Sequence, residues 1–249
     1  MVDVTFDFTT DSYNYWDGFW DRNYGFGKGL SDPDGSSPKL QEYHQILWSR
    51  ELPNGEKMVL KPGSGSYYLS WKDFRFGSDS IIVSFRYYYR YKSIIEEVMN
   101  ALPDYKTFYE EFIHKSYTIG GMIIFPKHVN SINQKKGTNR LISDRWDLIL
   151  EYIRRFYCNE PSPLSDVLET DRNFFNLFKD FKGYVDFFFL QDCVSSDYKS
   201  VNIWYGKGDF EENPLPNTVD DYMDFLNKEM FFLEQRNCRI KKYCEEHGM

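Results

Sequence analysis

Val2, Val4, Phe6 and Phe8 alternate with Asp3, Thr5 and Asp7, the period-two pattern of a half-buried strand, and predict that the chain opens on one. Residues 11–29 then mix Tyr13, Tyr15, Trp16, Phe19, Trp20, Tyr24 and Phe26 with acids and glycines, which reads as a packed aromatic loop. Residues 32–38 are dense in turn formers. Apolar runs at 45–52 and 56–60 flank Pro53-Asn54-Gly55, and Asn-Gly between two such runs predicts a β-hairpin. Residues 67–71 and 80–89 are aromatic and β-branched, so the reading is β-rich over 1–92.

At Ser93 the period changes. Ser93 with Glu96 forms a capping box ahead of Ile94, Ile95, Val98 and Met99, and Pro103-Asp104 separates this helix from a second one ending near Lys115. Residues 117–125 read as a buried strand interrupted by Gly120-Gly121. Trp146, Ile149, Leu150, Ile153 and Tyr157 share one face of a helix over 144–157. A short helix follows Ser162-Pro163, residues 174–189 divide between helix and strand only ambiguously, and residues 201–205 suggest a late strand. After Pro214 and Pro216, Thr218 and Asp221 box the start of a long terminal helix whose buried stripe is Tyr222, Phe225, Leu226, Leu233 and Ile240. The expected architecture is a single α+β domain over 1–249, in which a mainly antiparallel sheet from the N-terminal third packs with helices from a helix-rich 93–249.

Composition narrows the function classes. With 41% hydrophobic and 19% aromatic residues the chain has ample core. A net charge of −8 argues against a general nucleic-acid or membrane-surface binder. Cys158, Cys193, Cys238 and Cys244 are scattered and form no Cys-x-x-Cys, so reduced cytoplasmic thiols are expected. The acidic first residues do not resemble an export signal, and no apolar run is long enough to span a bilayer. His44, His114, His128 and His247 lack ligand spacing, so no metal is expected, and no cofactor is indicated.

Against this acidic background, residues 126–143 carry Lys127, Lys135, Lys136 and Arg140 and no acid. That loop runs into a helix N-terminus, where free amides and the dipole favour an anion. Asn133, Lys136, Gly137, Arg140 and Arg145 are the candidate ligand-binding residues, and arginine forks suit phosphate or carboxylate. Pairing with carboxylates is the alternative role for the two arginines. Asp147, Glu151 and Arg155 fall in one helical row and are the candidate catalytic residues, a base beside a guanidinium; an ordinary ion-paired surface explains the same spacing. Asp186, set among aromatics, either meets an arginine of 140–155 or lies on an amphipathic edge.

The stretches Ile119-Gly120-Gly121-Met122-Ile123-Ile124-Phe125-Pro126, Asp144-Arg145-Trp146-Asp147-Leu148 and Glu151-Tyr152-Ile153-Arg154-Arg155, with Leu47-Trp48-Ser49-Arg50, Leu52-Pro53-Asn54-Gly55 and Gly183-Tyr184-Val185-Asp186-Phe187-Phe188, resemble a bacterial family of unknown function. The likeness spans roughly residues 44–240 and implies one unit without implying an activity. Where relatives read Asn-Gly-Ala-Arg-Gly, this chain has Asn133-Gln134-Lys135-Lys136-Gly137. Two functions remain open: binding or acting on a phosphorylated small molecule, nucleotide or nucleic-acid end through 120–155, or a non-catalytic protein-interaction role for exposed aromatics around Tyr13 to Phe26 or on the terminal helix.

Overall fold

The computed structural model describes residues 1–12, 15, 32–64, 67–82, 92–126, 145–206 and 216–249. These form an α+β fold. Strands β1 (Lys61–Ser64), β2 (Tyr67–Trp71), β3 (Phe74–Ser80) and β4 (Met122–Pro126) make an antiparallel sheet in the order β1-β2-β3-β4. The helices in chain order are α1 (Pro33–Ser36), α2 (Pro38–Trp48), α3 (Lys92–Ala101), α4 (Tyr105–Ser116), α5 (Trp146–Tyr157), α6 (Ser165–Thr170), α7 (Arg172–Phe175), α8 (Phe181–Phe187) and α9 (Val219–His247). Met122, Ile123, Ile124 and Phe125 are all buried, because the sheet carries side chains on both faces of β4.

The predicted opening strand does not form. Each of the two Asp-x-Thr triplets closes a local turn instead: Asp3 Oδ1 accepts from the Thr5 amide at 2.9 Å, and Asp7 Oδ1 from the Thr9 amide at 2.9 Å. Side chains that satisfy their own neighbours' backbone compete with a ladder, and here they win. The run at 45–52 is likewise not a strand, since Gln45 to Trp48 complete α2. Ser37 caps that helix by accepting from the Leu40 amide, Pro38 follows the cap, and Leu40, Tyr43, Leu47 and Trp48 are buried at helical spacing. Pro53-Asn54-Gly55 does turn the chain, with Gly55 at φ +88° and Asn54 Oδ1 accepting from the Glu56 amide, but the hairpin shrinks to one bridge, Glu51 to Lys57. The late strand is also one bridge, Val194 to Val201.

Elsewhere the pattern reads true. Thr218 accepts from the Asp221 amide at the head of α9, and Tyr222, Phe225, Leu226, Leu233 and Ile240 are buried along it. The ambiguous 174–189 segment is a chain of short helical turns whose rings form a continuous aromatic core, with Phe178, Tyr184, Phe187 and Phe188 at 5.0–5.4 Å from one another in consecutive contacts. Edge and tilted packing at these distances adds to the area buried.

The strand with the Gly-Gly interruption is a 3-10 turn, Ile119–Gly121, followed by β4. Helix α9 holds that turn. Asn237 Oδ1 accepts from the Gly120 amide at 2.8 Å and Asn237 Nδ2 donates to Thr118 Oγ1 at 2.9 Å. Arg236, completely buried, donates to the carbonyls of Gly120 (2.6 Å), Met122 (2.9 Å) and Phe188 (3.1 Å). Burial pushes its guanidinium down to about 9. The terminal helix thereby fixes the strand that leads into the basic segment.

Candidate functional site

Arg145 is the N-cap residue of α5, and its guanidinium folds back over the helix's first turn. Nε donates to Asp147 Oδ1 at 2.8 Å and Nη2 to Asp147 Oδ2 at 2.6 Å, a two-pronged pair in which both side chains are wholly inaccessible. The pair also grips the segment ahead of α9. Nη2 donates to the Tyr205 carbonyl at 2.9 Å, and Asp147 Oδ2 accepts from the Trp204 amide at 2.8 Å. The guanidinium carbon lies 5.1 Å from the Phe225 ring centre. All the oxygens of Asp147 are thus in use, whereas Nη1 of Arg145 has no hydrogen-bond partner, nor has Nε1 of the neighbouring Trp146, which is 1% exposed. The Arg145 side chain caps none of the first-turn amides.

Of the three candidate catalytic residues, Glu151 and Arg155 meet as the row predicts, at 2.8 Å. Glu151 also takes two bonds from Arg154, and Arg154 reaches Glu160. Burial alone would raise the Glu151 carboxyl, but these bonds outweigh it and hold it below its ordinary value. Asp147 turns away from that row into the pair with Arg145, so no single group of three assembles. Asp186 keeps to an amphipathic edge: its partners are Lys182, Gln191 Nε2 (3.0 Å) and Tyr198 OH (2.8 Å), none of them in 140–155. Asn133, Lys136, Gly137 and Arg140 lie outside the described residues.

Besides the bonds of Arg236, sequence reading missed a second polar network. Trp48 Nε1 donates to His44 Nδ1 at 2.9 Å, so the His44 proton sits on Nε2 and is donated to Ser78 Oγ at 2.9 Å; Ser78 in turn donates to Asp34 Oδ1 at 2.9 Å. The proton direction leaves His44 unable to take a proton from Ser78, so His44 and Ser78 are not a base and its nucleophile. Burial, with the Arg236 charge nearby, pushes His44 down to about 3. Its unfolded value is near 6.5, so the unfolded chain binds the extra proton between those limits, and the neutral ring's contribution is complete above pH 6.5 and lost on acidification. Compared with His44→Gln, the wild type is expected to lose about 2 kcal/mol more between pH 7 and pH 5 in urea titrations. Parallel pH profiles for the two proteins would refute this.

Among the described residues no group of His, Cys, Asp and Glu is placed to hold a metal ion, and no helix is long and apolar enough to cross a membrane. A family model described only as a family of unknown function (DUF6994) matches residues 2–240. No curated protein and no solved structure matches the chain.

Proposed function

Since the chain belongs to that family of unknown function, whose description assigns no activity, we propose from the geometry that the head of α5 binds an anionic ligand. One observation carries the reading: Nη1 of Arg145 is a buried cationic donor with no acceptor, held by Asp147 at an uncapped helix N-terminus. A buried donor left unmade costs about 1–3 kcal/mol, more for a charged group, so an acceptor at this point is worth having. The helix end favours that acceptor being negative. In this reading Asp147 positions the guanidinium and takes no proton, Glu151 and Arg155 belong to the helix surface, and Asn133, Lys136, Gly137 and Arg140 supply further contacts from the basic segment.

The interaction reading has less behind it. Among the described residues Phe231 is 63% exposed on α9, but residues 227, 228 and 234 around it are polar and exposed; Tyr15 is buried against Tyr117, and the other aromatics between Tyr13 and Phe26 lie outside the described residues. A single ring is not a patch.

Thermal shift with phosphate, pyrophosphate and a nucleoside monophosphate tests the proposal. A ligand at 100 times its Kd is expected to stabilise the wild type by about 2.7 kcal/mol. The double variant Arg145→Met/Asp147→Leu, which replaces the pair by apolar groups, is expected to fold and to lose the shift. No shift in the wild type with any of the three, or an equal shift in the double variant, overturns it.

A further inference from the structure

We infer that Trp48, Phe187, Phe189 and Tyr243 form a guanidinium-binding cage whose ligand is the chain's own Arg50, and that this internal ligand clasps the end of α9 to α8. The rings converge from separate elements: Trp48 ends α2, Phe187 ends α8, Phe189 lies just beyond it and Tyr243 is on α9. The Arg50 guanidinium carbon stands over all four, 4.4 Å from the Phe187 and Phe189 ring centres, 4.6 Å from that of Tyr243 and 5.6 Å from that of Trp48. Ring faces attract a cation at these distances. They stand in for a counter-charge, since Arg50 enters no ion pair among the described residues. Nη2 donates to the Phe187 carbonyl and Nε makes no hydrogen bond, so the flat faces of the rings, more than any acceptor, hold the group. A planar guanidinium can lie against several rings at once, which a compact, strongly hydrated ammonium cannot.

The backbone at Phe189 supplies the second observation. The Leu190 amide donates to the Val185 carbonyl at 2.9 Å and the Phe189 amide to the Asp186 carbonyl at 3.4 Å, closing α8 in a turn whose left-handed position is usually glycine. Phe189 occupies that position at φ +55°, where a bulky side chain is strained. Glycine would relieve the backbone but would take a ring away from the guanidinium. Such strain persists where the surroundings hold it, and here they are Arg50 and the Tyr243 ring, whose centre is 5.2 Å from that of Phe189. Tyr243 lies about two helical turns beyond Arg236. The clasp therefore bears on the register of the same helix that holds the Gly120 turn.

Arg50→Ala empties the cage, and ethylguanidinium restores the atoms removed. The variant is expected to melt several degrees below the wild type and to regain part of that loss, saturably, in millimolar ethylguanidinium, while ethylammonium at the same concentration restores little. The wild type, its cage already filled, should gain nothing. Hydrogen exchange of the amides over 236–247 should quicken in Arg50→Ala and slow again with ethylguanidinium. A variant as stable as the wild type, equal rescue by the two cations, or an equal effect of ethylguanidinium on the wild type overturns the cage; exchange unchanged in the variant overturns the clasp. Should Arg50→Ala fail to fold, Arg50→Lys decides, because it keeps the charge and most of the stem: a melting temperature equal to that of the wild type overturns the guanidinium preference, and a lower one supports it. Phe189→Gly tests the strain. It should destabilise the wild type, and do so by less in the Arg50→Ala background; the same cost in both would show that the ring does not serve the guanidinium.

Discussion

Replacing Asp147 by Ala is expected to remove about 3–5 kcal/mol of stability, because it leaves the Arg145 charge buried with no counter-charge. In a chain of this size that corresponds to a fall in Tm of roughly 6–20 °C. Tyr205 O would be the guanidinium's remaining hydrogen-bond partner, and the Trp204 amide would lose its acceptor. The cost comes from orphaning, not from the net worth of the pair. Accordingly Arg145→Met/Asp147→Leu, which removes both charges, should cost far less than Asp147→Ala alone, and the coupling between the two sites should be large in a double-mutant cycle. Glu151→Gln gives the contrast. Its carboxyl sits at the edge of an ion network with exposed members, so its loss should cost only about 1 kcal/mol. Urea titration of these variants, with Arg145→Met and Asp147→Leu singly to close the cycle, settles it: an Asp147→Ala loss no larger than that of Glu151→Gln would mean that the pair is not buried.

The same pair shows where sequence reading stops. Arg145 and Asp147 were both legible as candidates, one as the end of a basic loop and the other as a member of a helical row. Pairing of Arg145 with a carboxylate was one of its two readings, but that the carboxylate is Asp147 was not legible, since helix-surface spacing joins residues three and four apart, whereas a cap residue folding back over the first turn reaches two ahead. Local signals located the elements whose ends are set by local bonds, as with Thr218 and Asp221 before α9. Local signals also misled where side chains answered their own backbone, as in the two Asp-x-Thr turns. Arg236 gave no sign at all. Its partners are carbonyls 48, 114 and 116 residues away, and a carbonyl carries no side-chain identity that a sequence pattern could reveal.

Those long-range bonds bear on the second large effect, Gly121→Ala, expected to cost about 3 kcal/mol as an overpacking change with no room to relax. A methyl group on Gly121 would lie 1.8 Å from the Ser116 carbonyl oxygen and 2.9 Å from its carbon, both backbone atoms. The turn cannot open to receive it. Gly121 donates to the Thr118 carbonyl at 2.9 Å and accepts from the Ile81 amide at 2.9 Å, while Arg236 binds the carbonyls on either side of it. Gly120→Ala meets a softer obstacle, the Asn237 side chain at 2.5 Å, which can swing aside. Its cost is then the two bonds that Asn237 makes, from the Gly120 amide and to Thr118 Oγ1, about 1–2 kcal/mol together. Gly121→Ala should therefore cost clearly more than Gly120→Ala in chemical denaturation. Gly121→Ala should also weaken phosphate binding more than Gly120→Ala does at equal folded fraction, because β4 leads from this turn into the basic segment. Two glycines that tolerate alanine equally would mean that Ser116 and Arg236 do not hold the turn, and that the route by which α9 fixes the candidate site is not the one described.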